Sequence, residues 1–119
     1  CMSYATLSHM FDSLTRKYGD KVLVRAIEHD TIVEFSWKDV FERATNIALS
    51  IKKAGIKTGE HIAIISANRP HWIFADLGIM MAGAISVPIY PSLTPDTISH
   101  ILKETDTRLV FVDTEMTAL

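Results

Sequence analysis

The sequence predicts an α/β fold, a parallel sheet of β-α-β-α-β type with flanking helices, preceded by an N-terminal helix and a β-hairpin. Three short, largely apolar runs carry this prediction, at residues 62–65, 85–89 and 109–112. Strands that are covered on both faces tend to be apolar at every position rather than at alternate ones. Helical patterns separate the three runs, and strand–helix–strand units of this kind close right-handed into parallel sheets.

The first predicted helix lies at the amino terminus. Its apolar residues recur at intervals of three and four positions, as on one face of a helix: Leu7, Met10, Phe11, Leu14 and Tyr18. We expect Thr6 to cap this helix and Gly19 to end it. The polar face carries few basic residues, so packing against the core is favoured over contact with a membrane.

A hairpin and a second helix follow. Residues 22–27 and 32–35 are strand candidates, and residues 28–31 form the turn between them. Ser36 is predicted to cap the next helix, with Asp39 placing negative charge at its positive end. Gly55 should close the helix in the left-handed conformation, with Ile56 folding back on its last turn.

The third helix should be buried on more than one side, because residues 71–82 are apolar almost all the way round. Asn68 is a good helix cap, and Pro70 is tolerated in a first helical turn. Gly83 fits the position that closes the helix. Asp76 lies within the apolar stretch, so its carboxylate should have a partner, and a structural hydrogen bond is a simpler role for it than catalysis.

The last predicted elements are a helix and a strand. Pro88 and Pro91 should prevent regular ladder pairing at the far end of the second strand. Thr94 and Pro95 are a strong helix start, because Thr caps well and Pro suits the first helical position. The buried face of this helix is predicted at Ile98, Ile101 and Leu102. Residues 106–107 then turn the chain into the third strand.

Composition excludes several classes of function. The 119 residues are enough for one core, and 48% hydrophobic with 22% charged residues is typical of a globular protein. A net charge of −2 with scattered Lys and Arg argues against nucleic-acid binding. Cys1 is the single cysteine, which rules out an internal disulfide and fits a reducing compartment. The longest apolar stretch is interrupted by Asp76, two glycines and Pro88, so no membrane span is predicted, and we expect a cytoplasmic protein.

Catalytic and metal-binding signatures are missing from the sequence. The five histidines are dispersed, with no pair at the spacing of metal ligands, and they are better explained as surface or turn residues. There is no Gly-x-Ser-x-Gly nucleophile elbow. Neither of the glycine-rich loops that cradle phosphates is present. We therefore predict no catalytic residue and no metal ligand.

Weak candidates for substrate binding lie where the predicted strands end. Ligands of parallel α/β sheets bind beyond the carboxyl ends of the strands. Asn68 and Arg69 stand at such an end, beside a helix N-terminus that could face an anion. The simpler interpretation is that Asn68 caps the helix and Arg69 pairs with a carboxylate. Tyr90 follows the second strand and precedes Pro91, where its ring either lines an acyl pocket or covers the core.

Two stretches of the chain resemble a known family. The first reads TIVEFSWKDVFERATNIALSIKKAGIKTGEHIAII and the second ANRPHWIFADLGIMMAGAISVPIYPS. Both resemble the amino-terminal part of the acyl-CoA synthetases, long-chain fatty acid–CoA ligases especially, in the acyl-adenylate-forming (AMP-binding) family. The likeness runs in one unbroken order from about Leu7 to Asp113, so residues 1–119 are expected to form a single unit, the N-terminal portion of the large domain.

The resemblance implies a carboxylate-activating parent enzyme. Such enzymes use Mg-ATP to form an acyl-adenylate from a fatty acid, release pyrophosphate and pass the acyl group to coenzyme A. The family carries its catalytic segments downstream of Leu119, so this fragment is expected to be inactive and to bind no cofactor itself. Its partners would be the remainder of the ligase chain, fatty acid, ATP and coenzyme A. A peripheral contact of the parent with a membrane is also allowed by the resemblance.

Two further expectations concern this chain by itself. A sheet that stops after its third strand leaves an edge unpaired and part of the third helix uncovered, so we expect self-association. The alternative reading is a self-contained flavodoxin-like binding or interaction module without ligase activity. A Thr/Ser/Gly-rich loop followed by Lys downstream in the gene would favour the ligase, and a stop codon would favour the module.

Overall fold

The computed structural model describes residues 4–67 and 69–112, with side chains described for residues 9–67 and 70–112. Nine elements follow one another in this part of the chain. They are α1 (Tyr4–Tyr18), β1 (Val22–Glu28), β2 (Thr31–Ser36), α2 (Trp37–Lys53), β3 (His61–Ile65), α3 (Arg69–Met81), β4 (Ile85–Ile89), α4 (Pro95–Glu104) and β5 (Leu109–Val112). None of the helices described is long and apolar enough to cross a membrane.

The described strands form two sheets. β1 and β2 make an antiparallel hairpin, whereas β4, β3 and β5 lie side by side in that order. Both pairings of β3 are parallel, with Ile62 opposite Ser86 on β4 and opposite Leu109 on β5. The predicted α/β architecture is confirmed, including the N-terminal helix and the hairpin.

Hydrophobic clusters cover both faces of the parallel sheet. On one face, Ile62 and Ile64 pack with Ile51 of α2 and Ile79 of α3, all of them at most 1% exposed. On the other face, α4 packs its three predicted apolar residues against Ala63, Ile65 and Ile89: Ile98, Ile101 and Leu102. Continuous apolar strands are therefore explained by helices on both sides.

A third cluster joins the N-terminal elements to the sheet domain. Phe11 of α1 and Phe35 of β2 pack with Val40 and Ala44 of α2 and with Phe74 of α3. The Phe35 and Phe74 rings meet edge to face, with centroids 5.0 Å apart. Because α2 contributes to two clusters, it lies between the hairpin and the sheet and holds them together.

Four of the residues predicted to cap or close helices do so: Ser36, Gly55, Gly83 and Thr94. Ser36 caps α2 in a capping box, in which Ser36 Oγ accepts from the Asp39 N–H and Asp39 Oδ2 accepts from the Ser36 N–H, each at 3.0 Å. Gly55 and Gly83 have φ of 82° and 79°. In each case the N–H groups of the glycine and of the residue after it donate to carbonyls of the last helical turn, as in a Schellman motif. Thr94 caps α4 through its side chain.

Three predicted details were wrong. Thr6 lies inside α1, which already includes Tyr4, so Thr6 is not its cap. The hairpin turn has two residues rather than four, His29 and Asp30, both with positive φ. β4 continues its ladder through Pro88, which pairs with Ile64. β4 is an edge strand of the described sheet, and edge strands tolerate proline because one side of the backbone needs no partner.

Candidate binding site at the carboxyl end of the sheet

The three parallel strands bring their carboxyl ends to one edge of the sheet. β3 ends at Ile65, β4 at Ile89 and β5 at Val112. Helix α3 begins at Arg69, four residues after the end of the central strand. This edge is where ligands bind in open α/β sheets, since the loops there diverge and leave a crevice.

One cleft at this edge contains Tyr90. Its volume is about 480 Å³. The lining residues come from the ends of β3 and β4 and from α3: Ser66, Ala67, Trp72, Pro88, Ile89, Tyr90 and Pro91. Tyr90 is 75% exposed, so its ring does not cover the core. Contact of Tyr90 with a substrate remains a prediction.

The side chains of the other two predicted binding residues lie outside the described part of the chain. Asn68 lies outside the described residues, and with it the cap that we predicted there. Arg69 is the first residue of α3, and its side chain lies outside what the structure describes. Their roles in binding or capping remain predictions. Within the described part of this segment, Pro70 is buried in the first turn of the helix.

A second cleft lies on the β5 side of the same edge, with a volume of about 450 Å³. It is lined by residues of α2, α3, β3 and β5: Arg43, Asn46, Ile47, Ile64, Ser66, His71, Phe74, Ala75, Phe111 and Val112. Sequence reasoning missed Arg43, Asn46 and His71 as site residues. The spacing of 43, 46 and 47 places these positions on one face of α2, but nothing local indicated which cleft that face would meet.

Two carboxylates near these elements have structural partners. Asp76 of α3 accepts a hydrogen bond of 2.8 Å from the Ser86 hydroxyl on β4, so it has a structural partner, as predicted, although the sequence did not identify which residue. The Ser36 backbone N–H is the main cause that lowers the pKa of Asp39, with the Ser36 hydroxyl next. No group of three or more His, Cys, Asp or Glu that could hold a metal ion occurs among the described residues. The described residues form two cavities at this edge in which a ligand could bind.

Comparison with known proteins places this geometry in a family. The sequence matches the AMP-binding enzyme family over residues 11–119. A human protein named long-chain-fatty-acid–CoA ligase ACSBG1 is 28% identical over 110 residues, which are 92% of this chain and 15% of the human protein. The Xenopus laevis protein named long-chain-fatty-acid–CoA ligase ACSBG2 is 24% identical over a similar share of both chains.

Solved structures share the fold. The crystal structure of fatty acid AMP ligase from Legionella pneumophila superposes with a TM-score of 0.85 at 21% identity. The superposition covers 97% of this chain and 20% of the Legionella chain. Thus the chain spans between about one seventh and one fifth of the length of the proteins it resembles. The sequence match across nearly the whole chain and the shared fold lead to one conclusion: the chain belongs to the AMP-binding enzyme family.

Proposed function

We propose that this chain is the amino-terminal portion of the large domain of an ATP-dependent, AMP-forming fatty acid–CoA ligase. The observation that carries the proposal is the unbroken family match from residue 11 to residue 119. Relatives named long-chain-fatty-acid–CoA ligases support the substrate class. Residues 1–119 would then form a single unit, the N-terminal portion of that domain, with the remainder of the ligase chain as its partner.

The reaction of such a ligase has two steps. A fatty acid carboxylate attacks the α-phosphorus of ATP, which gives an acyl-adenylate and pyrophosphate. The thiol of coenzyme A then takes the acyl group and releases AMP. Mg²⁺ would neutralise charge on the phosphates, but the described residues offer no cluster of ligands for it. We therefore assign no chemical step to the residues described, and propose that they serve as scaffold.

The Tyr90 cleft is the part of this scaffold that we propose to contact substrate. It combines an exposed tyrosine with Trp72 and two prolines at the carboxyl edge of the sheet. Apolar and aromatic walls suit an acyl chain. Asn68 and Arg69 follow β3 in the sequence, and we propose them as polar contacts at the same edge. A Tyr90→Ala change in the complete ligase should raise the KM for fatty acid more than it lowers kcat.

We propose a cytoplasmic location for the ligase, with peripheral contact at membranes from which long-chain fatty acids are drawn. Co-sedimentation of the complete protein with phosphatidylcholine vesicles tests the contact. Sedimentation with the vesicles supports it, and recovery of all the protein in the supernatant rejects it.

Fatty-acid-dependent exchange of pyrophosphate into ATP tests the proposed function. The protein encoded by the whole gene should catalyse the exchange with a long-chain fatty acid, and the 119-residue chain should not. Exchange by the 119-residue chain alone would show that its own residues carry the chemistry. A reading frame that ends at Leu119 would instead support the flavodoxin-like binding module.

A further inference from the structure

The cleft on the β5 side of the sheet edge has the features of a separate anion site, and we call it the Arg43 cleft. It is about 450 Å³ in volume, within the range of small-molecule sites. Its apolar lining includes Ile64 of β3, Ala75 of α3 and Phe111 of β5. Its polar groups are Arg43 and Asn46 from α2 and Ser66 and His71 from the other side.

Arg43 is held in place by aromatic rings. Its guanidinium carbon lies 5.2 Å from the centre of the Phe35 ring and 5.3 Å from that of Phe74. Both rings belong to the buried cluster, with Phe74 only 3% exposed, so they are rigid supports. Cation–π attraction of this kind holds the guanidinium over the rings, and its N–H groups are the hydrogen-bond donors that an anion would use.

The charge balance of the cleft is positive. No acidic residue is among the described residues that line it. Glu42 directly precedes Arg43 on α2 and lines a different cleft, together with Phe41 and Thr45. Asp39 lies one turn before Arg43, and its Oδ2 already accepts the Ser36 N–H of the capping box. The pKa of Asp39 is lowered first by that backbone hydrogen bond and only in smaller part by Arg43. The guanidinium therefore faces a cavity whose described walls provide no carboxylate.

We propose that the Arg43 cleft binds a small aromatic carboxylate, with its carboxylate paired to Arg43 and its ring packed on Ile64 and Phe111. A single guanidinium matches a monoanion better than a phosphate dianion, which would need a second cation. Three ring side chains line the cleft (His71, Phe74 and Phe111), so a flat apolar body fits its walls. The inference goes beyond ligase activity and does not depend on it.

Titration of the 119-residue chain with 2-naphthoate and with neutral 2-naphthamide tests this proposal. Two-dimensional nuclear magnetic resonance spectra recorded during each titration measure the binding. The two probes have nearly the same shape and differ in charge. We expect the acid to bind at least about tenfold more tightly, as charge-assisted hydrogen bonds to a guanidinium allow. The shifts of backbone amides should centre on Ile64, Ser66 and Phe111.

Substitutions at Arg43 test whether its guanidinium is the group that binds the carboxylate. In Arg43→Gln, the affinity for the acid should fall to that for the amide. Arg43→Lys should bind the acid severalfold more weakly than the wild type, because an ammonium group lacks the planar fork of donors that a guanidinium has. Lys53→Gln, an exposed change on the same helix, should have no effect. Circular dichroism checks that each variant is folded. The comparison of acid with amide on the wild-type chain needs no variant.

Three outcomes would overturn the proposal. They are equal affinity for the acid and the amide on the wild-type chain, shifts that centre on another surface, and an acid preference that survives in Arg43→Gln. Asp113 follows β5 in the sequence and lies outside the described residues. If the Asp113 carboxylate pairs with Arg43, the wild-type chain will bind 2-naphthoate and 2-naphthamide equally well. That result also counts against the site.

Discussion

At the scale of single residues, Gly78 shows why two helices can approach closely. A Cβ at this position would lie 2.5 Å from Ile47 Cγ2 and 3.0 Å from the Ala44 carbonyl oxygen, both on α2. A contact of 2.5 Å is too short for two carbon atoms, so the Ile47 side chain or the helices themselves would have to shift. Gly78 therefore matters for packing rather than for backbone conformation.

Gly78→Ala should lower the free energy of unfolding by about 1–2 kcal/mol, because overpacking costs more than the helix propensity gained from alanine. Urea denaturation measures the change. Gly19→Ala is a matched control, since its Cβ would meet only the Thr15 carbonyl oxygen at 3.5 Å. The control should change stability by less than about 0.5 kcal/mol. Equal effects of the two substitutions would contradict the close packing of α2 on α3.

The Asp39 carboxylate should make the free energy of unfolding depend on pH in the acidic range. Its pKa is lowered below the ordinary value of 3.8, mainly by the Ser36 backbone N–H. A carboxylate with a lowered pKa in the folded state stabilises the fold above the unfolded-state pKa, and this stabilisation is lost as the pH falls through the folded-state value. The stability difference between the wild type and Asp39→Asn should be constant from pH 7 to about pH 5 and shrink below about pH 4. A difference that is constant down to pH 2 would contradict the capping box.

At the scale of elements, sequence reasoning succeeded where the signal was local. Three strands and the caps at Ser36, Gly55 and Thr94 were predicted because apolar runs and capping residues act within a few positions. The prediction that Thr6 caps α1 was wrong because residue types that favour caps also occur inside helices. The contact of Gly78 with Ile47 and the position of Arg43 between two rings could not be predicted, because they depend on how distant elements pack.

The hydrogen bond between Asp76 and Ser86 connects α3 to β4. Ser86→Ala should lower the free energy of unfolding by about 1–3 kcal/mol, because it leaves a partly buried carboxylate without its donor. Ser99→Ala, on the exposed side of α4, should have little effect. In a double-mutant cycle with Asp76→Ala, the two residues should show a coupling energy above about 0.5 kcal/mol. Additive effects would show that the hydrogen bond contributes nothing.

At the scale of the whole molecule, two large apolar side chains of the hairpin are exposed to solvent. Ile27 and Ile32 are a cross-strand pair of the hairpin and are 78% and 70% exposed. In addition, β4 and β5 form the two edges of the described sheet. Exposed apolar pairs and open edges promote pairing with another chain.

We propose on this basis that the 119-residue chain self-associates. Sedimentation velocity at tens of micromolar, roughly the range of weak association, should show dimers or larger species. Replacing Ile27 and Ile32 by Thr should weaken association severalfold, since Thr keeps the β propensity and removes apolar surface. Leu49→Gln, which removes a single exposed apolar side chain on α2, is the control. A monomeric wild-type chain would contradict the proposal, and full association of the Thr variant would exclude the hairpin as its site.

The central claim is that three strands from separate parts of the chain pair in parallel and bring their carboxyl ends together. Nuclear Overhauser contacts between strand backbones test this most directly in the 119-residue chain. These contacts should place Ile62 beside both Ser86 and Leu109, and Ile64 beside both Pro88 and Phe111, with the register advancing in the same direction on both sides of β3. An antiparallel register, or β3 without β5 as its neighbour, would contradict it.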